Sequence, residues 1–180
     1  MSHEIEILLV EDSVEDAELT IRALRHNNIV NEIRVVEDGA EALDFLFCRG
    51  MYKDRSFAHP PKLVLLDLKL PRVGGMDVLR AIRADDRTRV IPVVVLTSSK
   101  EEKDLIDGYM LGVNAYAQKP VNFENFSETV RQIGMFWILV NQAPPPGAFA
   151  PSTTPGASTN LARGPVVISR VTGRMHNGNE

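Results

Sequence analysis

With 180 residues, the chain is long enough for one domain with a full core and too short for two ordinary ones. Its 44% hydrophobic and 24% charged residues are those of a soluble globular protein, and a formal charge of −4 argues against a nucleic-acid-binding surface. Cys48 is the only cysteine, so an intrachain disulfide is excluded and a reducing, cytoplasmic setting is expected. No apolar run is long enough to span a bilayer, and the first residues carry no export signal.

Two patterns alternate over the first 140 residues. Short runs rich in Val, Ile and Leu, read as strands, fall at 5–10, 32–36, 63–66, 92–96 and, more weakly, 115–118. Between them the apolar residues recur at helical spacing. Val14, Ala17, Ile21 and Leu24 form the first such stripe, with Ser13 placed as its N-cap. Further helices are expected at 41–47, 76–84, 101–110 and 123–140, the last capped by Asn122.

Five strands alternating with five helices predict a doubly wound α/β fold whose parallel sheet is covered on both faces. The first, third and fourth strands are nearly unbroken apolar runs, as central strands require. The second, Glu32-Ile33-Arg34-Val35-Val36, partly alternates and is expected at an edge. In the last helix Phe123, Phe126, Val130, Ile133, Trp137 and Val140 make one stripe. Met135, Phe136, Ile138 and Leu139 make its end apolar nearly all round. An apolar surface left outside a small domain marks a partner site, and a homodimer is expected there, with docking of the chain's own tail as the other occupant.

After Gln142 the composition turns to Pro, Gly, Ala, Ser and Thr. Residues 1–142 are therefore expected to form the domain and 143–180 a disordered tail, too short for a DNA-binding domain. His3, His26, His59 and His176 lack ligand spacing, and Cys48 is expected to be structural. Arg80, Arg83, Arg87 and Arg89 read as a solvated helix face and loop.

In an open parallel sheet, functional groups gather beyond the carboxyl ends of the strands. Here the first strand runs into Glu11-Asp12, the third into Asp67, the fourth into Thr97-Ser98 and the fifth into Lys119-Pro120. Three carboxylates in one crevice stay ionised at neutral pH only if a cation is shared between them, and a hard dication such as Mg2+ suits them. A carboxylate can attack phosphorus to give an acyl phosphate, a reaction that needs metal, a cation and a hydrogen-bond donor around the phosphoryl oxygens. Asp67 as nucleophile, Lys119 as cation and Thr97 as donor meet that need. Alone, Lys119 would read as a solvated lysine and Thr97 as a strand-end cap.

These features together resemble the response-regulator receiver (CheY-like) family over residues 4–140. The resemblance rests on Glu11-Asp12, on Asp67 with Pro71 and Gly75 at the family spacing, on Thr97-Ser98, and on Tyr116 before Lys119-Pro120. It implies a flavodoxin-like (βα)5 sandwich with strand order 2-1-3-4-5, a cis bond before Pro120 and Mg2+-dependent phosphotransfer from a sensor histidine kinase to Asp67. The implied metal ligands are Glu11, Asp12, Asp67 and the backbone carbonyl of Lys69. It also implies that Tyr116 turns inward on phosphorylation as Thr97 and Lys119 close on the phosphoryl group. The reading surface would be the face of the fourth helix, fifth strand and fifth helix. The 49–61 segment, the 91–97 strand and Phe136-Trp137 further resemble the small receivers that serve bacterial phytochromes and hybrid kinases. Many relatives carry Asn where this chain has Lys69, which puts the phosphoryl lifetime in question.

The expected role is a switch rather than an enzyme, acting through protein contacts. Onward transfer to a histidine phosphotransfer protein is the alternative. A haloacid-dehalogenase-type phosphatase would need a second acid at position 69, where Lys69 stands. A flavodoxin-type FMN site would meet repulsion from Glu11-Asp12, and the P-loop pattern is missing.

Overall fold

The computed structural model describes residues 6–29, 32–119 and 122–142; the side chain of Phe123 is also outside the described set. The elements are β1 (Ile7–Val10), α1 (Val14–His26), β2 (Ile33–Val36), α2 (Gly39–Leu46), β3 (Leu63–Leu66), α3 (Gly75–Ala84), β4 (Val93–Thr97), α4 (Glu102–Met110), β5 (Ala115–Gln118) and α5 (Phe123–Gly134). A 3-10 turn at Gly50–Tyr52 lies between α2 and β3. All strand pairs are parallel and the order is β2-β1-β3-β4-β5, as the alternating pattern and the family resemblance implied.

Side chains alternate across the sheet, so each central strand feeds two cores. Leu8, Val10, Val64, Leu66, Val93 and Val95 pack under α2 and α3 with Phe45, Val78, Leu79 and Ile82. Ile7, Leu9, Leu63, Leu65, Val94 and Leu96 pack on the other face, against Ala17, Ala23 and Leu24 of α1 and Phe126 and Val130 of α5. Burial on both faces is why β1 and β3 are apolar throughout and β4 is apolar up to its terminal Thr97, while β2 and β5 at the edges are not.

Local chemistry sets the helix starts. Ser13 accepts from the Asp16 amide, Asp38 from Glu41 and Asn122 from Asn125, each capping its helix as its residue type favours. Two glycines are dictated by close approach. A Cβ on Gly39 would stand 2.0 Å from the Val73 carbonyl oxygen, and one on Gly75 would stand 2.2 Å from that of Asp67. Helix α3 therefore begins against the backbone that carries Asp67.

Several expectations are corrected. Val14 is not part of the buried stripe: it is 61% exposed, because α1 turns Ala17, Thr20, Ala23 and Leu24 inward instead. Helix α5 does not run regularly to Val140. It is α-helical to Gly134 and π-helical over Met135–Val140, where the widened turn leaves Val140 65% exposed and brings Ile138 against the core. Arg83 is not a solvated residue. Its guanidinium donates to the carbonyls of Gly112, Arg89 and Ile91 and to Asn114 Oδ1, tying α3 to the starts of β4 and β5. Arg80, Arg87 and Arg89 pair with Asp77, Asp85 and Asp86. The Pro120 bond and the 143–180 tail lie outside the described residues. No helix among the described residues is long and apolar enough to cross a membrane.

Gly75→Ala is expected to cost about 2 kcal/mol or more, since rigid backbone stands in the way of the new methyl. Gly108→Ala, whose Cβ would meet only side chains at 3.6 Å or beyond, should gain up to about 1 kcal/mol from helix propensity. Urea unfolding of the two variants reads both signs.

Candidate functional site

The chain runs outward from β1 to β2 and then crosses to β3 on the other side, so a crevice opens between the carboxyl ends of β1 and β3. Glu11 and Asp12 follow β1, Asp67 follows β3, Thr97 ends β4 and Lys119 follows β5. The fold brings all of them to one edge of the sheet.

Asp67 is almost fully buried, and its two oxygens are held separately. Oδ1 accepts from the Thr97 hydroxyl at 2.7 Å and from the Lys69 amide at 3.2 Å. Oδ2 accepts from the Lys119 ammonium at 2.8 Å. Lys119 also donates to Glu11 Oε2 at 2.6 Å and to Asp16 Oδ2 at 2.7 Å, with its own side chain only 8% exposed. Burial would lower the Lys119 ammonium, but its hydrogen bonds to Asp16, Asp67 and Glu11 outweigh that and raise it above its ordinary value. The chain's own lysine thus supplies one positive charge to Glu11, Asp16 and Asp67.

Asp16 was not among the expected site residues. The missing signal is periodic: three residues after the N-cap, on the first turn of α1, a side chain points back toward the strand ends. Lys69, by contrast, has an exposed side chain that makes no hydrogen bond or ion pair among the described residues.

Glu11, Asp12 and Asp67 each offer an oxygen within 4.8 Å of the others'. Glu11 and Asp67 are buried and Asp12 is open to solvent, an all-oxygen donor set with room for water that suits a hard divalent cation. The Tyr116 ring packs on the core under α4, and its hydroxyl is buried with no hydrogen-bond partner among the described residues. Burial, and then the charges of Asp104, Asp67 and Glu101, push its phenol up. Nearby, the Thr97 hydroxyl accepts from the Ser99 amide at 3.2 Å, and the Ser99 hydroxyl donates to Asp104 at 2.7 Å. On the opposite flank Arg72, in the left-handed region at φ 61°, pairs with Asp38 at the start of α2.

Burial pushes the Glu11 carboxyl from its ordinary 4.5 up to about 7, against the pull of Lys119 and with help from Asp67. A carboxyl raised in the folded state stabilises the fold fully below its unfolded pKa, and that contribution is lost as pH rises through the folded value. In EDTA the melting temperature is therefore expected to fall from about pH 5 to about pH 8, and Glu11→Gln should flatten that slope. Thermal unfolding by circular dichroism checks it; equal slopes would remove Glu11 as the cause.

Comparison with known proteins agrees with this geometry. Residues 7–131 match the response regulator receiver domain model. The chain is 41% identical over 140 residues to the probable methanogenesis regulatory protein FilR2 of Methanothrix harundinacea (strain 6Ac), covering 78% of this chain and 88% of that one. It is 40% identical over 132 residues to response regulator Rcp1 of Synechocystis sp. (strain ATCC 27184 / PCC 6803 / Kazusa), covering 73% and 88%. Among solved structures, the phosphorylated cyanobacterial phytochrome response regulator RcpA superposes with a TM-score of 0.72 at 38% identity, over 77% of this chain and 96% of that one. The Mn(2+)-bound form of Rcp1 superposes at 0.71 and 39% identity, over 77% and 97%. This chain belongs to the response-regulator receiver-domain family, whose members carry phosphorylation-dependent signals in two-component systems.

Proposed function

We propose that Asp67 is the phosphoacceptor of a Mg2+-dependent receiver, with Lys119 and Thr97 as the groups that stabilise and read the phosphoryl group and Tyr116 as the switch residue. One observation carries the reading: a single buried carboxylate has a hydroxyl on one oxygen and an ammonium on the other, at the edge of an all-oxygen cluster. A carboxylate oxygen of Asp67 attacks the phosphorus of a kinase phosphohistidine. The O–P bond forms, the P–N bond breaks, and the imidazole keeps the electron pair and takes a proton from solvent. Glu11, Asp12, Asp67 and the Lys69 carbonyl would hold Mg2+, which supplies positive charge against the phosphoryl oxygens. Thr97 turns its O–H donor and Lys119 its N–H donor from Asp67 to those oxygens.

Phosphorylation adds nearly two negative charges and three strong acceptors. Because Thr97 holds the Ser99 amide and Ser99 holds Asp104, a shift of Thr97 pulls on the loop that leads into α4. Tyr116 needs no large inward swing. Its buried hydroxyl gains an acceptor as that loop moves. The likeness to Rcp1 and to the phytochrome response regulator RcpA supports a phytochrome-like or hybrid sensor histidine kinase as the donor. The exposed Ile106, Tyr109 and Met110 of α4, with Met135, Phe136 and Leu139 at the end of α5, support a homodimer across the α4, β5 and α5 face.

Incubation with acetyl phosphate and Mg2+ is expected to add one phosphoryl group by intact mass, with acetate as the leaving group, and none to Asp67→Asn. An adduct on Asp67→Asn, or none on the folded wild type, overturns the assignment. Sedimentation velocity should show dimers favoured on phosphorylation, and Tyr116→Ala should keep the adduct but lose that shift. A wild-type monomer in both states removes the dimer.

A further inference from the structure

An ammonium carries three N–H donors, and Lys119 has given all three to carboxylates: Glu11, Asp16 and Asp67, at 2.6, 2.7 and 2.8 Å. Glu11 and Asp67 also belong to the oxygen cluster that suits a divalent cation; Asp16 does not. A dication entering that cluster draws on the same carboxylates that hold Lys119, and it sets like charge beside the ammonium. Lys119 then needs one counter-charge that the metal leaves alone.

Asp16 is built for that part. Its amide is fixed by the Ser13 hydroxyl at 3.2 Å and its carbonyl by the Thr20 hydroxyl at 2.8 Å, so the first turn of α1 holds it in place. Its side chain is 38% exposed, against 3% for Glu11 and 6% for Asp67, so it keeps more of its hydration than they do. We infer that Asp16 is a positioning residue that retains the Lys119 ammonium beside Asp67 while a divalent cation takes up Glu11 and Asp67. The inference rests on reading this edge as the metal-dependent phosphoacceptor site. Without Asp16, the lysine has only partners that the metal also needs, and the two cations compete. The lost charge and the competition act in the same direction, both weakening the metal.

The test is calorimetric titration of the full chain with MgCl2 and, separately, MnCl2. Asp16→Asn keeps the side chain's shape and is expected to weaken both metals about fivefold, a modest factor because the pair is partly solvated. Asp16→Glu should recover most of the affinity. Glu18→Gln, which removes an exposed charge from the same helix, should stay within about twofold of wild type. The Mg2+ concentration for half-maximal acetyl phosphate labelling should shift in parallel, and circular dichroism in EDTA confirms that each variant is folded. Wild-type affinity in Asp16→Asn overturns the inference alone, as does an equal loss in Glu18→Gln, which would make the effect one of bulk charge. Failure of the wild type to bind either metal overturns the site reading together with it.

Discussion

One ammonium lets the centre of this protein exist. Glu11 and Asp67 lie side by side, both nearly buried, where two unpaired carboxylates would repel each other and lose their hydration. The Lys119 ammonium bridges them and reaches Asp16 as well. Such a bridge needs strand ends that converge, because Glu11, Asp67 and Lys119 are distant in sequence and follow β1, β3 and β5, while Asp16 lies on the first turn of α1. The parallel sheet and its reversal of strand order between β1 and β3 supply that convergence. Apolar burial on both faces makes the edge rigid enough to hold the charges within hydrogen-bond distance.

The same edge is connected outward in two directions. Through Thr97, Ser99 and Asp104 it reaches α4; through Gly75 and Arg72 it reaches α3 and the start of α2. These links are short and made of hydrogen bonds or tight backbone contact, so a change of charge at Asp67 has few ways to relax locally. Tyr116, on the edge strand β5, packs beside Gly108 of α4. Its hydroxyl is buried, with no hydrogen-bond partner among the described residues.

The far end of α5 serves a different purpose from its beginning. Phe126 and Val130 anchor it to the sheet, and Gly134 packs so closely on the end of α1 and the residues after it that an added Cβ would lie 3.1 Å from Leu24 and 2.3 Å from Ile29. Beyond Gly134 the helix widens to π geometry, and Phe136, Leu139 and Val140 face outward. Anchoring and outward presentation are thus separated by a single close-packed glycine.

The amino-acid pattern by itself determined the class of fold, the order of elements and most of the site. Apolar runs of strand length at β1, β3 and β4 can be satisfied only by burial on two faces, and acidic, hydroxyl and lysine residues at the strand ends have one plausible place to meet. Periodicity fixed the helices but not their rotation, which is why Val14 and Val140 were assigned to buried stripes and stand in solvent. It places Asp16 on the first turn of α1 but cannot name its partner, since Lys119 is 103 residues away and only the folded chain brings the two to 2.7 Å. Nor could it tell that Arg83 would bind three carbonyls, because backbone acceptors leave no mark in a side-chain sequence. What tertiary structure decided was therefore which charge faces which. Coulomb and hydrogen-bond energies depend on distances of a few ångströms, whereas the hydrophobic pattern that selects the fold depends only on which side of an element is dry.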